Sequence, residues 1–402
     1  MLPDLVHLEQ QVNERLGTDP PPTISTDLLP EAGRWFPMAW ARIPRDRLRK
    51  LADDPAGLEQ LEAALDAGDG RQLFPIHPLL LERYAGASIV ESGRFTVSAS
   101  YRTVFFEPEA GTPLQALVPG GEQMMIKLHL DDPLPGIAGD RRLTPQKVEK
   151  CIKLSALIPR QLAAVGGAGV TVLRERFGVV HGERGAIFRG VPASGVLPLF
   201  SLYSRDSSRP GDPPWLVTRL QERFDSPHEA AEGFGELLAA PLITPILAGF
   251  GAGFSLEMHA QNTLVQPAQG SALISQVLFR DLESVVVLPM LRSQFGLPPL
   301  ELDIDNPEYF TEPPIASRWF NRNIDHDLGR SFRWSLRVLE REGYFSPRDI
   351  LAAGRSIRRA VRRRIRERGM NRLANLGRWL PYSRSPYGSG RRPGHWYRTE
   401  FR

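Results

Sequence analysis

Leu256-Glu257-Met258-His259-Ala260-Gln261-Asn262 opens the segment from which both fold class and chemistry are read. After Asn262 come a short apolar run, Thr263-Leu264-Val265, a Pro267-Ala268-Gln269-Gly270 turn, and a second apolar run from Ala272 to Phe279 that ends in Arg280-Asp281. Two such runs around a Pro/Gly turn predict a hairpin. His259 and Asn262 then stand at its entrance and Asp281 at its exit. Amide and carboxylate oxygens are hard donors, so Glu257, Asn262 and Asp281 are candidate magnesium ligands, while His259 can reach a phosphate or a developing anion. Taken singly, each residue also suits a plain turn or cap.

Working outward, the stretch from Leu237 to Phe254 is apolar nearly all round and carries Pro241 and Pro245. It predicts a buried helix, too interrupted by Pro and Gly to cross a membrane. Further upstream, Met124-Met125-Ile126-Lys127-Leu128-His129-Leu130 alternates as a strand, with Lys127 and His129 on the face opposite Ile126 and Leu128. A lysine inside an apolar strand needs an anionic partner, for which a nucleotide phosphate qualifies. Ser98-Ala99-Ser100-Tyr101-Arg102-Thr103 reads as strand-like, with Ser100 and Arg102 on one face as phosphate donors. Arg141-Arg142, closing the loop after Lys127, suits a carboxylate clamp.

A chain of 402 residues can hold two or three lobes. Its single cysteine, Cys151, excludes disulfides and a cysteine zinc cluster, and fits a reducing compartment. With no secretory pattern at the N-terminus, the cytoplasm is the expected location. The net charge of +4 conceals a basic block from Arg358 to Arg368. Ile357, Val361 and Ile365 recur within it at helical spacing, which favours a solvated amphipathic helix over a nucleic-acid surface. Residues 383–393 read as a flexible tail.

The elements add up to an α+β protein. A small helical N-terminal cap is expected over residues 1–74, with helical pieces at Asp4 to Leu16, Arg45 to Leu51 and Leu58 to Ala67. A strand-rich nucleotide-binding lobe follows over 75–205, interrupted by a helix from Pro145 to Ala164. The mainly helical C-terminal lobe, 206–402, carries the hairpin. Neither a GxxxxGK[ST] loop nor a Gly-x-Ser-x-Gly elbow is present.

In order and spacing these motifs resemble those of the IucA/IucC-type, NRPS-independent siderophore (NIS) synthetases. The matching residues are Pro75-Ile76-His77-Pro78, Ser100-Tyr101-Arg102-Thr103, Ile126-Lys127-Leu128, Ile137 to Arg142, Glu257 to Asn262, and Arg280-Asp281. The resemblance implies that Ser100, Arg102, Thr103, Lys127, Asn262 and Asp281 hold ATP and Mg2+, and that His259 and Arg142, with Lys127, serve catalysis at the activated carboxylate. It implies an ATP-dependent ligase that adenylates a carboxylate and passes the acyl group to an amine or hydroxyl, as in siderophore or related natural-product biosynthesis. The partners are then small molecules, with no nucleic acid or membrane, and a homodimer is compatible with this. The chain departs from the family where Trp-Gln is replaced by Leu79-Leu80, where the loop Thr-Ser is Ala138-Gly139, and where residues 1–74 lack the family's larger N-terminal region. These departures fall on the citrate end, so a carboxylate other than citrate is expected.

Two rivals remain open at this point. A kinase-like phosphotransferase also uses a strand lysine, a His-containing loop with Asn, and a later Asp, although Gln261 stands where its base would be. A shortened, non-catalytic partner protein is the other.

Overall fold

The computed structural model of the chain describes residues 4–13, 28–118, 123–131, 142–167, 169–268, 273–300 and 313–373. In chain order the strands are β1 (Phe36–Pro44), β2 (Leu48–Ala52), β3 (Arg71–Pro75), β4 (Ser88–Val97), β5 (Thr103–Glu107), β6 (Met124–Leu128) and β7 (Val170–Val172). They continue as β8 (Glu175–His181), β9 (Arg184–Gly190), β10 (Leu197–Pro198), β11 (Phe254–Ser255), β12 (Thr263–Pro267), β13 (Ile274–Phe279) and β14 (Val286–Val287). An eight-stranded sheet has the order β2-β8-β9-β6-β5-β4-β1-β3, and a second sheet has the order β10-β12-β13-β7. Together with the helices this is an α+β fold.

β6 lies inside the large sheet, where Lys127 is flanked by Thr103 on β5 and Ile187 on β9, both antiparallel. Every residue of β6 is buried. One face is covered by the helix Pro145–Ala164, which starts at the Thr144 cap with Pro145 in its first turn. That helix lies close against β8 and β9 because Gly178 and Gly185 leave room: a Cβ at either position would stand 2.4 Å from a Val148 methyl.

The apolar stretch read as a core helix is one. The helix Pro227–Ala252 takes a π-helical turn at Gly235–Ala239 and stops at Gly253, whose φ of +87° forms a left-handed cap. By length and composition it could cross a membrane, yet 72% of its apolar window is buried inside this fold. The basic block forms the helix Pro347–Glu367, opened by a Ser346/Asp349 capping box. Ile357, Val361 and Ile365 are fully buried. On the other side Arg359 pairs with Glu232 at 3.0 Å and Arg363 with Glu236. The tail at 383–393 lies outside the described residues.

Residues 1–74 differ from the expected helical cap. Helices occur at Leu5–Gln11 and Pro55–Ala64, but this region also supplies β1, β2 and most of β3. The segment from Arg45 to Leu51, expected to be helical, is a 3-10 turn followed by β2. Met38, Trp40, Ala41 and Ile43 are buried in β1, where pairing with β3 and β4 decides the conformation.

Candidate functional site

A cleft of about 260 Å³ opens between the large sheet and the hairpin. Its upper lip is the connection between β4 and β5. Sequence alternation suggested a continuous strand here, but residues 98–102 form a tight turn with Tyr101 at φ +59°. A left-handed conformation is costly for a tyrosine and needs support from its surroundings. Two bonds supply it: Tyr101 N donates to Ser98 O at 3.0 Å, and His77 Nε2 lies 3.1 Å from Tyr101 O. The Ser100 hydroxyl accepts from Thr103 N at 3.0 Å and lies 3.1 Å from that of Ser98. The turn thus brings Ser98, Ser100, Arg102 and Thr103 onto the cleft.

Its lower lip is the hairpin. β12 and β13 pair from Thr263↔Phe279 to Pro267↔Ile274, as expected, which leaves Asn262 and Asp281 side by side at the open end. The motif from Leu256 to Asn262 does not end a helix; it forms an irregular segment and a turn in which His259 O accepts from Asn262 N and Thr263 N, both at 3.0 Å. His259 Nδ1 accepts from Gln261 N at 3.2 Å, so a neutral His259 carries its proton on Nε2. That Nε2 lies 4.0 Å from Glu257, whose other oxygen is 3.3 Å from Arg322. Asp281 has φ +74°, a second non-glycine residue in the left-handed region at this site.

Charge concentrates between the lips. Lys127, almost completely buried, bonds Asp281 and lies 2.7 Å from Glu283. Glu283 also binds Arg102 at 2.7 Å and Lys147 at 2.8 Å, and its backbone carbonyl accepts from Lys150 at 2.7 Å. Burial by itself would lower the Lys127 ammonium, but Asp281 and Glu283 outweigh it and raise its pKa. Burial would likewise raise both carboxyls. Lys127 and Arg102 instead hold Glu283 down at about 2, and Lys127, Arg189 and Arg102 hold Asp281 well below the ordinary carboxylate range. Behind them the Arg189 guanidinium lies 2.9 Å from Glu175, which burial pushes above its usual range despite that arginine.

Of the residues singled out in the sequence, Ser100, Arg102, Thr103, Lys127, Glu257, His259, Asn262 and Asp281 all line this cleft. Arg142 does not: it is exposed at the foot of the helix Pro145–Ala164, where its carbonyl accepts from Lys147 at 2.9 Å. Arg141, Ala138 and Gly139 lie outside the described residues. Sequence reasoning overlooked Glu283, Arg189 and Ser98, and it gave Arg280 no role of its own. Glu283 stands two residues beyond Asp281, a spacing that could have flagged it, whereas nothing local marks Arg189. As a magnesium set, Glu257, Asn262 and Asp281 are divided, because Glu257 is engaged with Arg322. Among the described residues no three His, Cys, Asp or Glu side chains converge as a metal cage. Magnesium arriving with phosphates needs only one or two protein carboxylates, and Asn262, Asp281 and Glu283 suit it in that form.

The fold is that of the IucA/IucC-like NIS synthetases. Aerobactin synthetase IucA from a hypervirulent pathotype of Klebsiella pneumoniae, in its ATP-bound form, superposes with a TM-score of 0.64 at 16% identity, over 89% of this chain and 70% of that one. A second structure of IucA gives 0.59 at 17% identity over 86% and 66%, and aerobactin synthetase IucC from the same source 0.62 at 14% over 94% and 72%. This chain therefore spans about two thirds of the length of each. No protein-family model and no curated protein matches it.

Proposed function

We propose that the protein is an ATP-dependent, AMP-forming ligase that activates a carboxylate other than citrate and transfers the acyl group to an amine or hydroxyl. The observation that carries this reading is the set of buried Lys127 and Arg102 with half-buried Asp281 and Glu283 facing a polar cleft. Buried charges at this density are costly to maintain for stability alone, and they match the needs of a polyphosphate and its cation. The superposition on an ATP-bound synthetase fold supports the same reading.

In this reaction a carboxylate oxygen attacks the α-phosphorus of ATP and pyrophosphate leaves; the amine or hydroxyl then attacks the acyl carbon, loses its proton, and AMP departs. Lys127 and Arg102 neutralise phosphate charge, and Ser100 and Thr103 offer hydroxyls beside them. Asn262 and Asp281, joined by Glu283, would hold the magnesium that accompanies the nucleotide. His259 presents Nε2 toward the carboxylate end, where Glu257 orients it. No protein nucleophile is required; positioning and charge supply the rate. The preference against citrate rests on the sequence departures at Leu79 and Leu80.

Incubation with Mg-ATP, hydroxylamine and a panel of carboxylates, resolving AMP from ADP, tests the proposal. AMP together with a hydroxamate from one acid supports it and identifies the substrate class. ADP would instead favour phosphoryl transfer, equal turnover with citrate and every other acid would remove the substrate preference, and no turnover with any acid would count against an enzyme.

A further inference from the structure

The helix Leu5–Gln11 belongs to a region in which the sequence shows no chemical motif, yet it reaches both lips of the cleft. Glu9 is fully buried on it. One carboxylate oxygen of Glu9 accepts from Arg280, and the other accepts from Ala99 N at 3.1 Å. Ala99 lies between Ser98 and Ser100 on the upper lip. Arg280 belongs to the lower lip: its Nε donates to Gln261 O at 2.9 Å, its backbone N donates to Asn262 O at 2.9 Å, and Asp281 follows it. Its Nη1 has no hydrogen-bond partner among the described residues, which leaves Glu9 as the anion that fixes this guanidinium. The rest of the helix anchors this bridge: Gln10 donates to Thr96 Oγ1 at 2.6 Å and Val97 O at 3.1 Å, while His7 Nε2 lies 2.8 Å from Asp206.

We infer that Glu9 is a positioning residue for the cleft, a single carboxylate that fixes the spacing between the serine turn and the Asn262–Asp281 pair. This rests on the nucleotide reading for its functional consequence, but the coupling itself is a property of the fold. A carboxylate accepts at both oxygens. A glutamine in its place must turn an NH2 toward either Ala99 N–H or Arg280, so one contact becomes donor against donor and one lip is released.

The test compares wild type, Glu9→Gln and the control Arg359→Ala, which breaks an exposed ion pair with Glu232 away from the cleft, by hydrogen exchange and by calorimetric titration with magnesium and the α,β-methylene analogue of ATP. In Glu9→Gln, peptides covering 98–103 and 259–283 should gain exchange together, and the dissociation constant should rise about tenfold, the effect of one lost charge-assisted bond. Arg359→Ala should leave exchange at 98–103 and 259–283 unchanged and keep affinity within about twofold of wild type. Exchange confined to the helix or to one lip in Glu9→Gln, or an unchanged dissociation constant where wild type binds, overturns the inference. If wild type does not bind the analogue, the nucleotide reading fails and the exchange pattern alone decides the coupling. Should Glu9→Gln not fold, Glu9→Asp, which keeps the charge but shortens its reach, is read in the same way.

Discussion

Lys127 and Asp281 are bonded across the boundary between the two sheets, one from near the end of β6 and the other from just beyond β13. The contact joins residues from opposite lips of the cleft. Asp281 takes a left-handed backbone to make it, so local conformation is strained where the charges meet. A binding site assembled from two sheets in this way has its cation neutralised before any ligand arrives.

Replacing Lys127 with Met removes the cation common to Asp281 and Glu283 and leaves two poorly solvated carboxylates facing each other. Stability should fall by about 3 kcal/mol, measured by urea unfolding at neutral pH, and nucleotide binding should be lost. Adding Glu283→Gln to Lys127→Met should recover part of the stability but none of the binding. A double variant no more stable than the single one would mean that the carboxylates are not what the lysine holds.

Acid should weaken the fold through Glu283. Its folded pKa lies near 2, below the ordinary carboxylate value of 4.5. The stabilisation is therefore present above about pH 4.5 and is lost as pH falls toward 2, because the unfolded chain takes up the proton first. Asp281 shifts in the same direction. Lys127 has the opposite sign: its raised pKa contributes stability below about 10.5 that is lost at more alkaline pH. In Glu283→Gln the dependence of unfolding free energy on pH between 4.5 and 2 should be visibly shallower than in wild type; an identical slope would show that Glu283 is not held in its charged form.

Gly235 marks the crossing of the helices Pro227–Ala252 and Pro347–Glu367. A Cβ added there would stand 2.2 Å from Ser356 O, a backbone atom that cannot step aside without moving the helix. The same glycine donates its N–H to the Ser356 hydroxyl at 3.0 Å, which in turn donates to Glu232 O at 2.6 Å. Gly235→Ala should cost about 3 kcal/mol in denaturant unfolding. A loss below about 0.5 kcal/mol would mean that the two helices are not packed this closely.

The hairpin, the β6 strand, the helix Pro145–Ala164 and the inward face of the basic helix were legible because each declares itself by local periodicity. Eight of the nine site residues chosen from the sequence line one cleft for the same reason, since the motifs that carry them are short and contiguous. What escaped detection depends on tertiary pairing. β1 and β2 alternate weakly among prolines and arginines and become strands only against β3, β4 and β8. Glu9 looks like any surface glutamate of a short helix, and nothing near it foretells a partner at Arg280. Arg142 failed for the converse reason, because a motif position does not say where a side chain at the edge of a loop will stand.

His77 gives the pH response of the upper lip. Its Nδ1 accepts from Leu79 N at 3.2 Å, so that nitrogen carries no proton and Nε2–H is left to donate to Tyr101 O. Burial pushes its pKa down to about 4 from 6.5, because charging the ring would place a cation in a dry pocket and forfeit the Leu79 bond. The folded ring stays neutral while the unfolded one titrates, so its stabilisation is whole above pH 6.5 and is lost as pH falls to about 4, amounting to about 3 kcal/mol. His77→Gln keeps a donor for Tyr101 without a titrating group, and should flatten the stability profile between pH 6.5 and 4, a range that meets that of Glu283 only at its acid end. Nucleotide affinity in wild type should also fall across this range, since the left-handed turn at Tyr101 loses its neutral support, while in His77→Gln it should hold steady. Parallel profiles for the two proteins would show that His77 is charged in the folded state and that the serine turn is held by something else.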